Sequence, residues 1–90
     1  MADWHMADAM IEAYKEELSA NEIYEYAKKL EENYKLGILR WTTREGEGIL
    51  LQKMTDEHVM NTIEFLKKKD KNEIRNKWIQ LLEYEFEKRI

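Results

Sequence analysis

The stretch Gly37-Ile38-Leu39-Arg40-Trp41-Thr42-Thr43-Arg44-Glu45-Gly46-Glu47-Gly48-Ile49-Leu50-Leu51-Gln52-Lys53 decides the fold. It holds all three glycines of a chain that has no proline, and glycine is the residue that admits positive φ at helix ends and in tight turns. Inside it the apolar period is two. Leu39 and Trp41 fall on one side of an extended segment, and Ile49 and Leu51 on one side of another. Arg44-Glu45-Gly46 reads as a three-residue connection with glycine where a left-handed residue is needed. That loop length pairs Trp41 with Ile49 and Leu39 with Leu51, all on the face that meets the helices. A two-residue loop would shift the partners by one and mismatch the faces. Ile38 to Lys53 is therefore expected to be a β-hairpin. Alone it would be marginal in water, so helices must support it.

Upstream, Ala7, Ile11, Tyr14 and Leu18 recur at spacings of four, three and four, with Asp8, Glu12 and Glu16 opposite, which predicts a helix over 3–18. Ser19-Ala20-Asn21-Glu22 is a capping box that opens a second helix over 20–36. Its apolar stripe is Ile23, Ala27, Leu30 and Tyr34, and Gly37 supplies a left-handed stop. These two helices should form an antiparallel pair. Downstream, Thr55 is a good N-cap, Asp56 and Glu57 suit the positive end of a helix dipole, and Val59, Ile63 and Leu66 continue a helix over 56–69. After the polar run from Lys67 to Asn72, Ile74, Trp78, Leu81 and Leu82 define a helix over 72–89. A second stripe on that helix, Ile79, Phe86 and Ile90, is free either to wrap the hairpin or to bury against a second copy in a homodimer. The fold class is mainly α with a small β-hairpin (α+β), in one domain over residues 1–90.

Composition agrees with a thin but real core. The chain is 90 residues long, 43% apolar and 38% charged. Its ten aromatic rings supply enough apolar surface to fold, although a chain this short buries only about 60 to 65% of what it exposes unfolded. Cysteine is absent, which excludes disulfides and thiolate chemistry and suits a reducing compartment. No apolar run approaches membrane-spanning length, and the start MADWHMADAM lacks the basic and apolar regions of a secretory signal. A cytoplasmic location with no membrane contact is the expectation. Net charge is −4, unevenly spread: residues 1–36 hold nine acids against four bases, and residues 37–90 ten against eleven. The acidic third argues against nucleic-acid binding there and for a basic partner surface.

Trp41-Thr42-Thr43-Arg44-Glu45-Gly46, then Met54-Thr55-Asp56-Glu57-His58, Asn61 and Ile63 make up W-T-T-x-x-G followed by M-T-x-x-H-x-x-N-x-I. This resembles a pattern recurring in small proteins of bacteriophages and prophages, departing from it at Glu47-Gly48. The resemblance implies a phage or mobile-element origin, and hence the host cytoplasm, and transfers no site. In physical terms, His58 and Asn61 are three apart on one helical face, within reach of a strand carbonyl or the Thr42 hydroxyl. Trp41, Thr42, Thr55, His58 and Asn61 thus form a candidate clasp between hairpin and helix.

Chemistry-bearing constellations are few. His5 and His58 are the only imidazoles and lack metal-ligand spacing, so neither a metal nor a cofactor is implied. Ser19 is the only serine and is explained as a cap, and the glycines form no phosphate-binding motif. An enzyme is not expected. Tyr24 and Tyr26 are two apart and face different sides of their helix, so at least one is exposed. Together with Glu12, Glu16 and Glu25 they form the candidate partner-binding set. The functional expectation is a non-enzymatic interaction protein that binds, and inhibits, a host protein such as a defence component. The alternative is a small nucleic-acid-binding or regulatory protein using the basic cluster Lys67, Lys68, Lys69, Lys71, Arg75 and Lys77, which Asp70 and Glu73 dilute.

Overall fold

The computed structural model describes residues 19–43, 45–69 and 71–90, so the helix expected over 3–18, with its antiparallel packing, lies outside the described residues. The first described helix, α1, is Ala20–Lys35. Its capping box forms as read: Ser19 Oγ accepts from the Glu22 amide at 3.3 Å, and the Ser19 amide donates to Glu22 Oε1 at 2.9 Å. At the other end Gly37 takes φ +77, its amide donates to the Tyr34 carbonyl, and the Ile38 amide reaches the Asn33 carbonyl, each at 3.0 Å. Two carbonyls that the helix would leave open are thereby satisfied.

Strands β1 (Arg40–Thr42) and β2 (Gly48–Leu50) pair antiparallel with Trp41 opposite Ile49, as the loop length requires. The Leu51 amide donates to the Leu39 carbonyl at 3.1 Å, which carries the same register to the Leu39 and Leu51 positions. Gly46, at φ +90, closes the turn by donating to the Thr43 carbonyl at 2.9 Å. The hairpin is shorter than read. Beyond Leu50 the chain winds into a 3-10 turn, Leu51–Lys53, which drives the Leu51 side chain fully into the core and swings the backbone toward Thr55.

Helix α2, Asp56–Lys67, starts on Thr55, whose hydroxyl accepts from the His58 amide at 3.1 Å. It stops two residues before the expected Lys69, because Lys68 and Lys69 are spent in its closing turn on the Phe65 and Leu66 carbonyls. Helix α3, Glu73–Lys88, starts on Asn72, whose Oδ1 accepts from the Arg75 amide at 2.8 Å. It packs against α1 on one flank, α2 on the other and the 3-10 turn near its end. The core lies between them. Trp41 meets Trp78 edge to face at 4.7 Å, with Leu51, Val59, Leu66, Ile74 and Leu82 around the pair. Ile79 and Phe86 pack against this cluster, so the second stripe of α3 largely wraps its own domain, and Ile90, at 91% exposure, is the one member left open. Among the described residues, no helix is long and apolar enough to cross a membrane.

Candidate functional site

The two faces of α1 follow from its stripe. Ala27 and Leu30 are buried and Ile23 and Tyr34 pack beside them, so Tyr24, Glu25, Lys28 and Glu32 are exposed on the far side. Tyr24 and Tyr26 point about 200° apart around the helix. Tyr24 is 56% exposed, whereas Tyr26 packs on the core and lines a groove along α1 of about 510 Å³ with Glu22, Glu25, Lys29, Leu30 and Asn33. A second hollow of about 230 Å³, between α1 and β1, shares Tyr26, Leu30 and Asn33 and is backed by Trp78. Of the candidate partner-binding set, Tyr24 is thus presented outward, while Glu25, itself exposed, and Tyr26 line the groove. Glu12 and Glu16 lie outside the described residues.

The basic cluster is divided: Lys67, Lys71 and Arg75 line one hollow of about 470 Å³ between α2 and α3, and Lys77 turns to α1. Arg75 is fully buried, at 0% exposure. Lys67 pairs with Glu83 at 2.8 Å, Lys77 with Glu31 at 2.9 Å, and Lys69 lies 5.0 Å above the Phe65 ring. The Lys77 hydrogen bond, then that of Lys35, holds the Glu31 carboxyl below its usual range. Lys67, Lys68 and Lys71 are exposed.

Hairpin and helices are clasped by a residue that sequence reasoning passed over. Arg89, just past α3, donates through Nη1 to the Met54 carbonyl at 2.7 Å and to Asp56 Oδ1 at 2.9 Å. Its Nη2 reaches the Leu51 carbonyl at 2.9 Å and its Nε reaches Glu85 Oε2 at 3.2 Å. One planar fork therefore ties the 3-10 turn, the start of α2 and the end of α3. Glu85, at 4% exposure, also accepts from the Tyr34 hydroxyl at 3.0 Å and has Lys88 Nζ at 3.5 Å. Burial works against the charged Arg89, but the bonds to Asp56 and Glu85 outweigh it and raise its pKa. Burial, then the hydrogen bond to Glu85, pushes the Tyr34 hydroxyl up. A carboxylate engaged by Arg89, Tyr34 and Lys88 at once is a structural anchor. Of the candidate clasp residues, Trp41 is core, Thr55 is a cap, Thr42 and His58 are half-buried and Asn61 is exposed. The His58 carbonyl takes the Thr62 hydroxyl at 2.7 Å.

Among the described residues, no three histidine, aspartate or glutamate side chains come together as metal ligands. No protein family, curated protein or solved structure matches the chain.

Proposed function

We propose that the protein is a non-enzymatic interaction protein, of phage or mobile-element origin, that acts in the host cytoplasm by binding a host protein such as a defence component. The observation that carries this reading is the outward presentation of Tyr24, 56% exposed, on α1, where Glu25 and Glu32 are exposed as well. A tyrosine ring offers a large contact area at low rotamer entropy, and ring-plus-carboxylate surfaces suit a partner with basic and apolar groups. Glu12 and Glu16 add to the acidity of the same end of the chain.

The nucleic-acid alternative draws less support, since Arg75 is buried and Lys67 and Lys77 face carboxylates. Affinity capture from a bacterial lysate with the full chain, run beside Tyr24→Ala/Glu25→Lys and Lys67→Glu/Lys68→Glu, tests both. The reading requires a protein retained by the wild type and by the lysine variant but lost with the α1 variant. Salt-sensitive nucleic acid lost with the lysine variant would instead establish the alternative.

A further inference from the structure

The two edges of the hairpin differ. Leu51 bonds to Leu39 and Thr43 to Glu47 across it, so the alternation of an antiparallel ladder makes Trp41 and Ile49 the bonded pair between them. The residues in between point their amides and carbonyls outward: Gly48 and Leu50 away from β1, Arg40 and Thr42 away from β2. The β2 edge is covered. Arg40 Nη1 donates to the Gly48 carbonyl at 2.9 Å, and after Leu50 the chain leaves the strand for the 3-10 turn. The β1 edge is open. Among the described residues, the Arg40 and Thr42 amides and carbonyls have no partner.

An open edge invites a further strand, and proteins ordinarily blunt it with a charge. Here the one charged side chain of β1, Arg40, is drawn across the sheet onto Gly48 and leaves its own edge bare. Beside that edge lies the hollow of about 230 Å³ between α1 and β1. Ile38, 56% exposed, lines it on the hairpin side, and Tyr26, Leu30 and Asn33 of α1 form the opposite wall.

We propose that this edge takes up an extended peptide segment of a partner protein, which adds to the hairpin as a third strand and sets apolar side chains into the hollow. Main chain is what the edge recognises, since two amides and two carbonyls alternate along it in a pattern that another extended backbone meets group for group. Side chains on every second residue of the incoming strand face Ile38, Tyr26 and Leu30, which gives the apolar selectivity. A second copy is the poorer occupant. The α1 wall leaves room beside β1 for a single strand, and not for a hairpin that carries its own helices. This surface does not depend on the Tyr24 reading, because Tyr24 lies about 200° around α1 from Tyr26.

The test follows backbone amides by NMR in the full chain, with the blocked peptide acetyl-Thr-Val-Thr-Val-Thr-amide as the probe. In the free protein the Arg40 and Thr42 amides should exchange with solvent about tenfold or more faster than the Trp41 amide. Equal protection of the three would show an edge already covered and would overturn the proposal. Peptide should slow both outer amides. Its affinity should fall about fivefold or more in Thr42→Pro, which removes an outward N–H and spares the ladder to β2, and equally for a probe N-methylated at alternate residues. Tyr24→Ala should bind as the wild type does. Binding indifferent to both changes, or none at about millimolar peptide, would contradict the proposal. Self-association that Thr42→Pro abolishes would also count against it, by making a second copy the occupant.

Discussion

The two flanks of α3 are finished to different degrees. On the hairpin flank, Trp41 sits edge-on to Trp78 with no exposure, and the Arg89 fork satisfies the Leu51 and Met54 carbonyls together with Glu85 and Asp56. On the α1 flank, the buried apolar contribution of the helix is Ala27 and Leu30, helped by the Tyr34–Glu85 bond and the Lys77–Glu31 pair at the rim. Among the described residues, two buried side-chain groups lack a hydrogen-bond partner, the Trp78 indole N–H and Asn72 Nδ2 at the start of α3. The hairpin flank is thus, among the described residues, the more fully bonded, and α1 presents the more exposed surface.

Substitutions can break or sharpen this contrast. The largest effect should come from Trp41→Ala, which empties the centre of the finished flank and should destabilise the protein by about 3–5 kcal/mol in urea denaturation. Next is Arg89→Met. It leaves the nearly buried Glu85 carboxylate without its guanidinium and opens two carbonyls, so a loss of about 2–3 kcal/mol is expected. A loss below about 0.5 kcal/mol would mean that the fork is a surface decoration.

Tyr34→Phe removes one hydrogen bond on the α1 flank and should cost about 1 kcal/mol. It should also change the alkaline limb of stability. The Tyr34 pKa is raised in the fold, so its contribution is whole below the ordinary tyrosine value of about 10 and is lost as pH rises past it. Wild-type stability should therefore fall above about pH 10, and the Phe variant should fall less steeply. Smallest of all, Tyr24→Ala/Glu25→Lys should leave the urea midpoint nearly unchanged, within about 0.5 kcal/mol, because both side chains face solvent. Any larger loss would assign these residues to the fold instead of to a partner.

What the sequence made legible was local. The capping box from Ser19 to Glu22, the left-handed Gly37, the Thr55 cap and the Trp41–Ile49 register each depend on residues close in the chain or on loop length. The end of α2 was overrun because Lys68 and Lys69 are good helix formers with no glycine or proline to stop them. Arg89 was illegible for a different reason. Its partners Leu51, Met54 and Asp56 lie 38, 35 and 33 residues away, and in sequence it reads as an ordinary surface arginine four residues after a glutamate. The burial of Arg75 was illegible on the same ground, since it follows from tertiary packing and not from the lysines beside it.

The central claim, that α1 is the recognition element and the rest its mount, is most directly tested by amide hydrogen exchange on the protein with and without the captured partner. Protection gained across Asn21–Glu32, with Lys67–Lys77 unchanged, is the predicted footprint. Protection confined to Lys67–Lys77, with α1 exchanging as in the free protein, would contradict it.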